Sequence, residues 1–181
     1  MSFFATLAAM QILDGKKLAE HIRTNLQAEQ KNRTYTPTLA VMLVGDDPAS
    51  ELYVHMKQKV AEELGLRVEI NHFPASTSMS TLLHTIQAWN QDVSIHGILV
   101  QVPLPPGHDE STIIQAIDPI KDVDGFHPQT IAALETGNPT LLSPVHEGIL
   151  LLLNQAPVHI NGARIALIGN SDVFGKPLTR L

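Results

Sequence analysis

No cysteine occurs among the 181 residues. That absence removes a disulfide framework, a thiolate nucleophile and zinc–thiolate coordination, and it agrees with a reducing compartment. Positive charge is sparse: 12 Lys and Arg stand against 18 Asp and Glu, for a formal net charge of −6. A broad nucleic-acid face draws on clustered Lys and Arg; there is no such cluster, so no nucleic-acid partner is expected. The opening stretch MSFFATLAAMQILDG has no basic flank before Lys16, and its apolar run is too short to span a bilayer. We therefore expect no membrane association and a cytoplasmic location. Asn32-Arg33-Thr34 matches a glycosylation sequon, which has no meaning without export. Internal repeats and low-complexity segments are missing too. The nine histidines stand at least a dozen positions apart, which leaves no local metal-binding pair, and no metal is expected.

What is present suits a globular chain: 44% hydrophobic and 17% charged residues, at a length sufficient for one well-buried domain and part of a second. Asp14 is placed to cap a helix whose apolar positions Leu18, Ile22 and Leu26 recur every four residues. Residues 38–44, TLAVMLV, form a continuous apolar run, as in a strand buried on both faces. A helix is predicted over residues 48–64 and closed by Gly65, then a strand over 67–73, a helix over 78–89, a strand over 95–102 and a short helix from Asp109 to Ile117. Ser143-Pro144 opens another helix, and ARIALIG, residues 163–169, reads as a further strand. Helices alternating with buried strands specify an α/β fold with a parallel sheet. Regular pattern lapses over residues 118–144, and a domain boundary is expected there.

Three places can carry chemistry. In SELYVHMKQKVAEELG, Tyr53, Lys57, Val60 and Leu64 fall on one helix face, with Glu51, His55, Gln58 and Glu62 opposite. Lys57 therefore sits on the stripe expected to face the core. Either it runs its stem along apolar surface to reach water, or its ammonium is desolvated in a cleft walled by Tyr53 and exchanges protons near neutral pH. In the second case Lys57→Met would stabilise the protein. In GILVQVPLP, Gln101 ends a buried strand just before a proline-broken loop, where open α/β sheets bind ligands; its amide either orients a polar group or bonds to backbone. In KDVDGFHP, the D-x-D-G fragment lacks calcium ligands at Ile120 and Ile131. Asp124 there is either a solvated turn acid or an acceptor for a paired N–H edge of a heterocycle.

Taken in order, VGDDPAS-ELYVHMKQK, GILVQVPLP, DPIKDVDGFHP and IGNSDVFGKP closely resemble the bifunctional methylenetetrahydrofolate dehydrogenase/methenyltetrahydrofolate cyclohydrolase family. The resemblance implies that Lys57 is the central acid/base residue, that Gln101 hydrogen-bonds and tunes it, that Tyr53 packs on the folate and that Asp124 holds the pterin ring. Val100 enters as a further substrate-binding position. It implies NADP or NAD as cofactor, tetrahydrofolate derivatives as substrates, and a homodimer for a longer form. It also implies two domains: a folate-binding catalytic domain over residues 1–125, then the start of a Rossmann-type dinucleotide-binding domain over 126–181. A folate-binding or interaction module without catalysis is the alternative class.

Two departures from the family pattern stand out. SPVHEG puts His146 where the family's Pro-Cys-Thr-Pro-x-Gly has its second proline, and the glycine turn reads Gly169-Asn170-Ser171 where the family has Gly-Arg-Ser. The missing arginine is one that the resemblance would direct at the 2′-phosphate of NADP. The turn is neither the dinucleotide fingerprint, because Ser171 replaces its second glycine, nor a P-loop. After a strand it reads as N–H groups of Gly169, Asn170, Ser171 and Gly175 aimed at a pyrophosphate. The remaining cofactor-domain strands and the family's late glycine-proline loop do not follow, so we expect a truncated chain that dehydrogenates poorly and retains folate binding.

Overall fold

Asp14 caps the first helix as its position suggests, accepting from Lys17 N at 3.0 Å, and α1 follows over Gly15–Gln30. In this computed structural model of the chain, residues 12–157, 159–168, 175, 178 and 179 are described. The order continues as β1 (Thr38–Val44), α2 (Pro48–Glu63), β2 (Arg67–Phe73), α3 (Met79–Gln91), β3 (Gly97–Val100), α4 (Glu110–Gln115), α5 (Pro128–Glu135) and α6 (Pro144–Leu153). Asp47 and Ser78 cap α2 and α3, each accepting from a main-chain N–H three residues on, and Gly65 takes the positive φ of 74° that closes the turn after α2.

The three strands are parallel in the order β2-β1-β3. Thr38 to Val44 pair with Arg67 to Phe73 on one side, and Leu39 to Met42 pair with Gly97 to Val100 on the other. Because successive side chains point to opposite faces, β1 feeds two cores. Ala40, Met42 and Val44 pack with Ile98, Val100, Leu82, Ile86, Trp89 and Ile113, under α3 and α4. Val41 and Leu43 pack with Leu99 and Val54, under α2. The unbroken apolar run of β1 is thus the signature of a strand covered on both faces.

Beyond β3, Asp122 makes an isolated parallel bridge to Ile98. Ile98 N donates to Lys121 O at 2.7 Å. Gly97 permits this approach: a Cβ there would stand 2.5 Å from Val123 Cγ1. α1 contributes no buried side chain; Gln27 and Gln30 tie it to the carbonyls of Glu63 and Gly65, both at 3.2 Å.

Three expectations change. Residues 118–144 are not without regular structure, because α5 lies within them. Its cap is His127, whose Nδ1 accepts from Gln129 N at 3.1 Å, and eight residues are too few to show a clear helical period. β3 is shorter than residues 95–102: Ile95 N turns back to Asp92 O, and Pro103 has no N–H to continue the ladder. Residues 163–168 form no strand, and Ile168 is 98% exposed. A parallel strand needs a neighbour for its N–H and C=O groups, and no described residue pairs with this segment.

Candidate functional site

The chain leaves β1 through α2 toward β2, then returns through α3 to place β3 on the other side of β1. The two connections part at the carboxyl ends of β1 and β3, the place where open α/β sheets leave a crevice. Gln101 stands at its edge. Its main-chain N donates to Met42 O at 2.9 Å, and its side-chain Nε2 donates to Val102 O at 2.8 Å. With Nε2 so engaged, Oε1 is left to accept from Lys57 Nζ, at 3.1 Å. Two groups 44 residues apart in sequence are joined.

The helix phase differs from the sequence expectation. The buried positions of α2 are Ser50, Val54 and Ala61, so Lys57 flanks the core stripe and is exposed. Tyr53 is 59% exposed. Together with Met56, Val60, Ala61, Leu64 and Leu66 they line an open depression of about 410 Å³. Contrast between the faces of α2 is weak, because Val60 and Leu64 on one side compete with Val54 and Ala61 on the other. Of the two readings open for Lys57, the chain presents the first: its side chain is exposed, with the Gln101 amide as partner.

Asp124 is half-buried on the loop after α4. Burial pushes its carboxyl above the usual aspartate range, Lys57 pulls it back down and Asp122 adds a smaller upward push. Val100 is buried in the α3-side core; with Ile98, Asp122 and Phe126 it borders a small cleft shared with Asp124. For an acid with a raised folded-state value, the native protein holds the proton to higher pH than the unfolded chain does. Stability is then lost as pH rises through the window above the ordinary aspartate value. Asp124→Asn is expected to raise the melting temperature at neutral pH and to give no gain well below that window, which melts recorded across acid to neutral pH will check.

Two features lay beyond sequence reading. Asp122 is the first, 4% exposed with four hydrogen bonds; an aspartate two residues before an Asp-Gly was the available signal. The second is a group from three elements, Asp46, Glu51 and His72, whose donor atoms lie within 4.8 Å of one another. Sequence spacing cannot register it. His72 Nε2 stands 2.7 Å from Gly45 O and 3.5 Å from Asp46; since a carbonyl only accepts, that nitrogen carries the proton and offers no lone pair. His146, which departs from the family pattern, is buried in the first turn of α6. Gly169, Asn170 and Ser171 lie outside the described residues, and Gly175 is described, its carbonyl accepting from Thr179 N at 3.2 Å.

An open parallel sheet with a polar pair across its carboxyl ends defines the class of α/β domains that take small ligands at a switch point. Residues 13–124 match the model of the tetrahydrofolate dehydrogenase/cyclohydrolase catalytic domain, and the chain belongs to that family. It is 43% identical to the bifunctional protein FolD of Acidiphilium cryptum over 173 residues, and 45% identical to that of Halalkalibacterium halodurans over 173. These matches take in 96% and 94% of the chain and 62% of each relative. The bifunctional FolD methylenetetrahydrofolate dehydrogenase/cyclohydrolase of Campylobacter jejuni superposes with a TM-score of 0.91 at 37% identity, over 95% of this chain and 62% of that one. A Trypanosoma brucei dehydrogenase-cyclohydrolase, solved with NADP cofactor and an inhibitor, superposes at 0.86 with 28% identity, over 94% and 60%. The chain therefore spans about 62% of the length of the curated relatives it matches. No helix among the described residues is long and apolar enough to cross a membrane.

Proposed function

We propose that the chain acts in folate one-carbon metabolism: residues 1–125 bind a tetrahydrofolate derivative, and residues 126–181 lead into a dinucleotide-binding domain. The observation that carries this is the Lys57–Gln101 bond at the carboxyl ends of the strands, with Lys57 near enough to Asp124 to draw its carboxyl down. In the proposed site Tyr53 packs on the folate and Asp124 accepts from a paired N–H edge of the pterin, for which two carboxylate oxygens are suited. Lys57 exchanges a proton as water adds to the methenyl carbon and the ring opens to 10-formyltetrahydrofolate. Gln101 fixes where its ammonium stands.

The companion reaction is oxidation of 5,10-methylenetetrahydrofolate, for which NADP or NAD would supply the hydride acceptor. The residues assigned to the pyrophosphate are Gly169, Asn170, Ser171 and Gly175; the segment leading to them forms no strand, so it lacks the rigid support such a turn requires. The same reading places the protein in the cytoplasm and pairs a longer form as a homodimer. Folate binding without turnover is the second reading, favoured by the exposure of Lys57.

Calorimetry with 5-formyltetrahydrofolate, paired with methenyltetrahydrofolate hydrolysis, separates the two. Binding with hydrolysis supports the enzyme, binding alone the module, and neither would sink the folate reading. For a form that carries a complete cofactor domain, we expect NADP to be favoured over NAD only weakly. A charge-assisted bond to the 2′-phosphate is worth about ten- to a hundredfold in binding, and Asn170 offers a neutral amide in place of an arginine. The ratio of kcat/KM for the two cofactors measures it; a strong NADP preference shows that another residue supplies the charge.

A further inference from the structure

Asp122 takes no part in the proposed chemistry, yet its carboxylate is among the buried groups of the chain. One oxygen accepts from Asp124 N at 3.2 Å and Gly125 N at 3.1 Å; the other accepts from His127 N at 2.8 Å and Thr130 Oγ1 at 3.4 Å. A carboxylate removed from water is tolerated only when its lone pairs are filled, and here three main-chain N–H groups and a hydroxyl fill them. Asp124 lies inside the turn that these bonds wrap. The turn is anchored just ahead of Asp122 as well. Lys121 Nζ donates to Trp89 O at 2.8 Å and Asp92 O at 2.7 Å, at the end of α3, and Lys121 O accepts from Ile98 N of β3.

We infer that Asp122 is the positioning residue for Asp124: by gathering the N–H groups of residues 124, 125 and 127, it holds the Asp124 carboxyl beside the Lys57–Gln101 pair. The ligand it serves rests on the folate reading above; the geometry does not. A residue that merely stabilised the loop would act through bonds alone, whereas Asp122 also acts through its charge. The charged groups facing Asp124 among the described residues are Lys57 from α2 and Asp122 on its own loop, and they act in opposite directions. Neutralising Asp122 must therefore do two things at once, loosening the turn and lowering the pH at which Asp124 ionises.

The test uses the full chain, with Asp122→Asn compared against Asp109→Asn, which weakens the cap of α4 without touching this loop. We expect Asp122→Asn to bind 5-formyltetrahydrofolate about ten- to a hundredfold more weakly, the range for lost hydrogen bonds to a charged group, while Asp109→Asn binds as the parent does. The carboxyl carbon of Asp124, followed by NMR against pH, should titrate at lower pH in Asp122→Asn, and the Gly125 and His127 amides should move. An unshifted Asp124 midpoint, or parental affinity in Asp122→Asn, overturns the inference. If the parent chain binds no folate the functional reading fails, and the Asp124 titration still decides the positioning role. Should Asp122→Asn not fold, Thr130→Val removes one of the four bonds and keeps the charge. Displaced Asp124 and Gly125 amides in that variant support the inference; unmoved ones overturn it.

Discussion

Lys57→Ala is expected to lower methenyltetrahydrofolate hydrolysis by about 10²–10⁴-fold, the usual contribution of a positioned general acid or base, and to leave the fold intact. The first half follows from geometry: under the proposed function, Lys57 carries the ammonium that Gln101 accepts from, and an alanine at that position can neither donate nor exchange a proton. The second half follows from exposure. Lys57 flanks the buried stripe of α2, and substitutions at such positions change stability by roughly 0.5 kcal/mol or less, about 1–2 °C for a chain of this size. Lys57→Met, which would stabilise a protein holding a desolvated ammonium, is expected to bring no such gain. Initial rates by loss of methenyl absorbance and a circular-dichroism melt suffice. Hydrolysis at an undiminished rate by Lys57→Ala removes the residue from the chemistry.

Gly125→Ala should be the most damaging small substitution in the loop that carries Asp124. Gly125 holds φ 70°, a conformation that costs an L-residue about 1–2 kcal/mol. Space is also lacking: an added Cβ would stand 3.0 Å from Ser143 N and 3.1 Å from Ser143 Cα. Those are backbone atoms at the entry to α6, and they cannot rotate aside as a side-chain tip can. Forcing an extra carbon into such a contact adds roughly 1–3 kcal/mol. The two together predict about 2–5 kcal/mol, a fall in melting temperature of roughly 4–20 °C. Folate affinity should fall with it, because Gly125 N is one of the groups that Asp122 gathers. A melt within 2 °C or so of the parent would show that residues 142–143 give way more easily than their place in the loop suggests.

Much of the fold could be read directly from residues. Asp14 announced a helix start because a short side-chain acceptor before a helix has one obvious task, and Asp47 and Ser78 prove to do the same for the next two helices. The run TLAVMLV announced a strand covered on both sides because six apolar residues in a row, Leu39 to Val44, leave neither face for water. The phase of α2 was not legible. Periodicity places Tyr53, Lys57, Val60 and Leu64 together, but only the sheet beneath decides that Ser50, Val54 and Ala61 go inward. The bond between Lys57 and Gln101 was foreshadowed by resemblance and by the switch-point rule, while its donor and acceptor stand on different elements and no local pattern could join them. Asp122 was hidden by its neighbour: in D-x-D-G the second acid draws the eye, and the partners of the first are main-chain groups, which every sequence has.

The three parallel strands give the molecule two unlike ends. Gln101, the Asp46–Glu51–His72 group and the helix carrying Lys57 stand at or beyond the carboxyl ends of strands, whereas the turns that enter β1 and β3, at residues 31–37 and 92–96, hold none of the candidate residues. Variation at those entry turns is therefore separated from the site by the length of the sheet. The chain can drift, lengthen or acquire new contacts at one pole while the chemistry at the other is conserved, a division of labour that leaves the architecture open to new partners without asking the site to change.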